Sequence, residues 1–119
     1  MARILLAEDD IEMRQFLAHS LRRAGHDVSA TENGDSAADA LERQNFDLLL
    51  ADVVMPGLDG VELAKRAARI SPSLKIVFIT GFAAVALNSD SEAPKNAKVL
   101  AKPVHLRELV SEVNKMLAA

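Results

Sequence analysis

The chain has 119 residues, half of them apolar, with 14 basic and 17 acidic side chains and a formal net charge of −3. That is enough apolar material for one ordinary domain with a single core, and the mild acidity gives no basic stripe for a nucleic acid. Cysteine is absent, which excludes disulfides and thiolate metal sites, and no apolar run approaches the ~20 residues of a membrane-spanning helix.

The chain opens with a short apolar run, Ile4 to Ala7, that meets Glu8-Asp9-Asp10 at once. It reads as a buried strand, being too short for a secretion signal. The expectations are a cytoplasmic setting and one domain over 1–119, with no output domain. Met13, Phe16, Leu17, Leu21 and Ala24 recur at helical spacing and stop at Gly25. Val28 to Ala30 predicts a brief second strand. Asn33-Gly34 opens a second helix with Ala37, Ala40 and Leu41 inward. Leu48 to Ala51 is a continuous apolar run, the pattern of a strand covered on both faces, and it ends at Asp52. A Pro56-Gly57 turn follows, then Asp59 as a helix N-cap with Glu62 three residues on. That third helix runs to about Ile70. Lys75 to Ile79 is the fourth strand, ending at Thr80-Gly81. Ala83 to Leu87 suggests a fourth helix cut short by the breaker-rich stretch from Asn88 to Pro94. Lys98 to Ala101 is the fifth strand, ending at Lys102-Pro103. Leu106, Leu109, Val110, Val113, Met116 and Leu117 form the apolar face of the last helix. Five strands alternating with five helices predict an α/β fold, a parallel sheet with helices on both faces.

In such sheets ligands bind outside the carboxyl ends of the strands. The residues there are Glu8-Asp9, Asp52, Thr80 and Lys102. Three carboxylates brought together repel, and a hard divalent cation, best magnesium, relieves that repulsion. A hydroxyl and an ammonium beside them suit a phosphoryl group. A carboxylate can itself be the nucleophile and form an acyl phosphate.

On these residues the chain resembles the response-regulator receiver family over its whole length. The matching signature is Glu8-Asp9, Asp52 within the run from Leu49 to Gly60, Thr80-Gly81 and Lys102-Pro103. Each piece is weak alone, and the four in order are specific. The resemblance implies a flavodoxin-like (βα)5 fold with strand order 2-1-3-4-5. It implies Asp52 as phospho-acceptor and Mg2+ held by Asp9 and Glu8, with Asp52 and the backbone carbonyl of Val54. Asp10 is a further acid in that group. It also implies Thr80 and Lys102 as switch and phosphate-binding groups, and a cis peptide at Pro103. Residues 81–88, 98–109 and the C-terminal Lys115-Met116-Leu117-Ala118-Ala119 resemble, more narrowly, stand-alone cell-cycle receivers of alpha-proteobacteria. This implies phosphate from a histidine phosphotransferase or histidine kinase. It further implies a monomeric adaptor acting on ClpX of the ClpXP protease, active when unphosphorylated.

Several positions carry plainer readings. Glu8 and Asp9 could be acids favoured at a helix N-terminus, Asp52 a turn cap, Thr80 a β-branched strand residue and Lys102 a solvated charge. Receivers usually carry an aromatic three residues before the lysine. Here Val99 stands there, which suggests an altered output surface or a residue that merely fills the strand. Phe82 flanks the site and is a partner-surface candidate. His105 is another, or caps the last helix. His19 and His26 read as surface residues. The apolar C-terminal tail reads as a frayed helix end or a protease tag. Two rival functions remain. A receiver-like scaffold that is never phosphorylated would not need the full acid, threonine and lysine set. An aspartyl phosphohydrolase wants its nucleophile on the first strand.

Overall fold

The computed structural model describes residues 2–81 and 97–118. The order of elements is β1 (Arg3–Ala7), α1 (Ile11–Arg23), β2 (Asp27–Thr31), α2 (Gly34–Arg43), β3 (Leu48–Asp52), α3 (Gly60–Ile70), β4 (Lys75–Thr80), β5 (Lys98–Ala101) and α4 (Leu106–Ala118). The strands form one sheet in the order β2-β1-β3-β4-β5, and every pairing is parallel. This is the doubly wound, flavodoxin-like arrangement. The expected short helix at Ala83–Leu87, the breaker-rich stretch after it and Phe82 lie outside the described residues.

Alternation along the strands builds two cores. Leu5, Leu49, Ala51, Ile76 and Phe78 face α2 and α3, which contribute Ala37, Leu41, Leu63, Ala64 and Ala67. Ile4, Leu6, Leu48, Leu50, Val77 and Ile79 face α1 and α4, which contribute Leu17, Leu21, Leu109 and Val113. All five residues of β3 are buried, as a central strand covered on both faces requires. The sheet's edge strand β2 mixes Asp27, Ser29 and Thr31 with Val28 and Ala30.

Helix starts follow the capping chemistry. Asn33 accepts from the Ser36 N–H at 2.7 Å, and Asp59 accepts from the Glu62 N–H at 2.9 Å. Each satisfies one of the donors a helix leaves unpaired at its start. The buried stripe of α4 is narrower than its sequence suggests. Leu109 and Val113 are buried, Val110, Met116 and Leu117 are half-buried, and Leu106 remains 45% exposed.

Candidate functional site

The carboxyl edge of the sheet gathers groups from β1, β3, β4 and β5. Glu8 follows β1 and is buried, at 1% exposure. Its N–H donates to the Thr31 carbonyl at 3.1 Å. Arg14, one turn into α1, donates to its carbonyl at 2.9 Å. The Asp10 N–H reaches Glu8 Oε2 at 3.3 Å. These bonds fix an acidic turn whose next residue, Asp9, is exposed. Asp10 points elsewhere: its Oδ1 accepts from the N–H groups of Glu12 and Met13 and caps α1.

Asp52 closes β3 and is 7% exposed. Its Oδ1 accepts from the Val54 N–H at 3.2 Å. Its Oδ2 accepts from Lys102 Nζ at 2.8 Å. The register pairs Asp52 with Ile79, so Thr80, buried at 1% exposure, stands one residue further along the neighbouring strand. The Lys102 N–H donates to the Thr80 carbonyl at 3.0 Å. This bond carries the lysine past the end of β5 and back over the carboxylates. The Lys102–Pro103 peptide is cis.

Two glycines let the loop between β3 and α3 lie this close. A Cβ at Gly60 would run into the backbone carbonyl of Asp52, and one at Gly34 into that of Leu58. The Gly60 N–H also donates to the Val53 carbonyl at 2.9 Å. The segment carrying Val54 is therefore held at both ends by backbone, while the Val54 side chain is 56% exposed.

Ligand oxygens of Glu8, Asp9 and Asp52 lie within 4.8 Å of one another. An all-oxygen, acidic set open to water on the Asp9 side fits a hard divalent cation such as Mg2+. Lys102 Nζ sits between two of these acids, 3.2 Å from Glu8 Oε1 as well as 2.8 Å from Asp52. Burial and the neighbouring Asp52 charge push the Glu8 carboxyl up to about 7, against the pull of the Asp10 N–H and of Lys102. Burial alone would lower the Lys102 ammonium. Its bonds and charge contacts with Asp52 and Glu8 outweigh that and raise it above its ordinary value.

Other expected positions fall outside this cluster. Val99 is half-buried and packs against the core face that holds Phe78, so it fills its strand. His105 is exposed, and its carbonyl accepts the Leu109 N–H at the start of α4. His19 is exposed. His26 is half-buried and structural: the Ala2 N–H donates to its Nδ1, and its Nε2 lies 3.0 Å from Asn114 Oδ1. The Arg14 bond and the Glu8–Lys102 contact escaped sequence reasoning. The Asp10 cap had a readable signal, an aspartate just before an amphipathic run.

A profile for the response regulator receiver domain matches residues 4–114, and the chain belongs to that family. It is 61% identical over 119 residues to the response regulator receiver protein CpdR of Brucella abortus, covering 100% of this chain and 99% of that protein. A response regulator receiver protein from Sinorhizobium medicae superposes with a TM-score of 0.90 at 30% identity, covering 98% of this chain and 94% of that one. The response regulator TrrA of Thermotoga maritima, solved in complex with Mg2+ and BeF, superposes with a TM-score of 0.84 at 30% identity over 98% and 99% of the two chains. The protein is thus a receiver of two-component signalling, similar to the response regulator receiver protein CpdR.

Proposed function

We propose that Asp52 accepts a phosphoryl group from a phosphohistidine donor and that the resulting charge switches the protein's contacts with other proteins. The observation that carries this reading is the Asp52 carboxylate, held at the open edge of the sheet with Lys102 at 2.8 Å and two further carboxylates beside it. An oxygen of Asp52 forms the new P–O bond as the donor's P–N bond breaks, and the leaving imidazole takes up a proton. Glu8, Asp9, Asp52 and the Val54 carbonyl would hold Mg2+, which spreads charge on the transferring group. Lys102 leaves its carboxylate contacts to pair with the phosphoryl oxygens, and the Thr80 hydroxyl donates to one of them. A group of about −2 charge in place of one carboxylate shifts the balance between two arrangements of the surface near β5 and α4.

The donor in this reading is a histidine phosphotransferase or histidine kinase in the bacterial cytoplasm. The output is a monomeric adaptor that delivers substrates to ClpX of the ClpXP protease when unphosphorylated. The similarity to CpdR supports this assignment.

Intact mass after incubation with acetyl phosphate and Mg2+ tests the first part. One phosphoryl adduct is expected, absent without Mg2+ and absent in Asp52→Ala. A wild-type chain that takes no adduct and shows no beryllofluoride binding would be a scaffold instead. For the output, reconstituted ClpXP should degrade its cargo faster with the unphosphorylated chain or with Asp52→Ala. Equal rates with and without the chain would remove the adaptor role.

A further inference from the structure

The sheet holds Glu8 by its N–H, which donates to the Thr31 carbonyl at 3.1 Å. The Glu8 carbonyl belongs to the next peptide, beyond the last paired residue of β1. Arg14 Nη1 donates to it at 2.9 Å in place of a strand. Arg14 is half-buried in the first turns of α1, and its own N–H donates to the Asp10 carbonyl at 2.8 Å. The guanidinium therefore returns across the acidic turn from a rigid helix. The peptide it reaches is planar, so one bond to the oxygen also sets the direction in which the chain leaves toward Asp9.

Asp9 depends on that direction more than its neighbours do. Glu8 is buried against Lys102, and Asp10 is fixed by its cap on α1. Asp9 is exposed and makes no hydrogen bond or ion pair of its own among the described residues. Yet its carboxylate offers an oxygen within 4.8 Å of those of Glu8 and Asp52. Arg14, in turn, makes no ion pair among the described residues. A permanent cation beside three carboxylates that pairs with none of them is aimed at the backbone instead.

We infer that Arg14 is a positioning residue for the cation site: by holding the Glu8–Asp9 peptide it sets the Asp9 carboxylate and makes the site prefer Mg2+ over Ca2+. The inference rests on the reading of the acidic edge as a Mg2+ site. Two effects of Arg14 oppose each other there. Its charge repels any divalent cation and lowers the affinity for both ions alike. Its bond fixes where a ligand stands, which matters most to the ion with the stricter geometry. Mg2+ demands near-octahedral ligands at short distances, whereas Ca2+ accepts irregular ones. Selectivity therefore belongs to the bond and not to the charge.

The test titrates the full chain with Mg2+ and with Ca2+ and follows amide chemical shifts, which also report that each variant is folded. Arg14→Met removes both bond and charge. It should weaken Mg2+ binding about tenfold or more, the usual cost of losing a group that orients a metal ligand, and weaken Ca2+ binding much less. Without metal, the Asp9 and Asp10 amides should exchange with solvent faster than in the native chain. Arg14→citrulline, made by peptide ligation, keeps the N–H and the shape but not the charge. It should bind Mg2+ at least as tightly as the native chain. Mg2+ affinity unchanged or raised in Arg14→Met would overturn the inference, and so would equal losses for the two ions. A citrulline variant as weak as the methionine one would assign the effect to charge and overturn it as well. A native chain that binds no Mg2+ would remove the metal reading itself, and this inference with it.

Discussion

Lys102 Nζ lies 2.8 Å from Asp52 Oδ2, joining residues fifty positions apart across the end of β4, which separates β3 from β5. The same ammonium lies 3.2 Å from Glu8 Oε1. It thus supplies the positive charge that three clustered carboxylates need, in the place where a metal ion would also supply it.

Replacing it exposes that overlap. Lys102→Met leaves Glu8 and Asp52 facing each other without a cation. Without metal, the variant should lose about 1–3 kcal/mol, the cost of stranding buried polar groups. Mg2+ should then raise its melting temperature more than it raises that of the native protein, because no ammonium shares the carboxylates. Equal rises would show that lysine and metal do not compete. The native ammonium's own contribution, with its raised pKa, is complete at neutral pH and is lost only above the ordinary lysine range.

Glu8 sets a pH dependence of the opposite kind. Its carboxyl is raised from 4.5 to about 7 in the folded chain. Over that window the folded protein keeps a proton that the unfolded chain has released, so metal-free stability falls as pH rises through it. The fall is of order 3 kcal/mol from this group. Urea unfolding with chelator at about pH 5 and about pH 7.5 should show it, and Glu8→Gln should flatten it. A Glu8→Gln variant with the native slope would assign the effect to other groups.

Gly60 lies against the backbone carbonyl of Asp52 itself. Gly60→Ala must push the end of β3 away from α3, at a cost of about 1–3 kcal/mol, and should slow phosphorylation of Asp52. Gly81→Ala is the comparison, since a Cβ there meets nothing within 4 Å among the described residues. It should keep native stability. Matched urea midpoints for the two variants would contradict the close contact.

Asp59 anchors the other end of the same loop through the Glu62 N–H at 2.9 Å. Asp59→Ala should destabilise by about 1 kcal/mol, and Asp59→Asn by much less, since an amide oxygen still caps. Chemical denaturation of both variants checks this. An asparagine variant as weak as the alanine one would point to the charge rather than the cap.

Much of this architecture is legible in the residues. Leu48 to Ala51 announces a strand covered on both faces, and Asn33 and Asp59 announce their helices, because those patterns answer local physics. Glu8, Asp52, Thr80 and Lys102 can be placed on one edge because parallel strands present their carboxyl ends together. The order of the sheet is different: nothing local says that β1 lies between β2 and β3, and only the family resemblance supplied it. Contacts between distant backbone segments were also unreadable. Gly34 against Leu58 and Gly60 against Asp52 depend on how α2 and α3 pack. Leu106 continues the apolar period of α4 yet stays half in water, because the stripe is wider than the core it covers.

Asp52 and Lys102 stand on strands of unequal freedom. β3 lies between β1 and β4 with both faces covered, whereas β5, the four-residue strand leading to Lys102, has β4 as its sheet neighbour. A pull between the two ends therefore moves the margin and leaves the middle in place. On the proposed function, a change of charge at Asp52 would be converted into displacement at the rim of the sheet, where another molecule can feel it, while the carboxylate itself keeps its place for the next exchange.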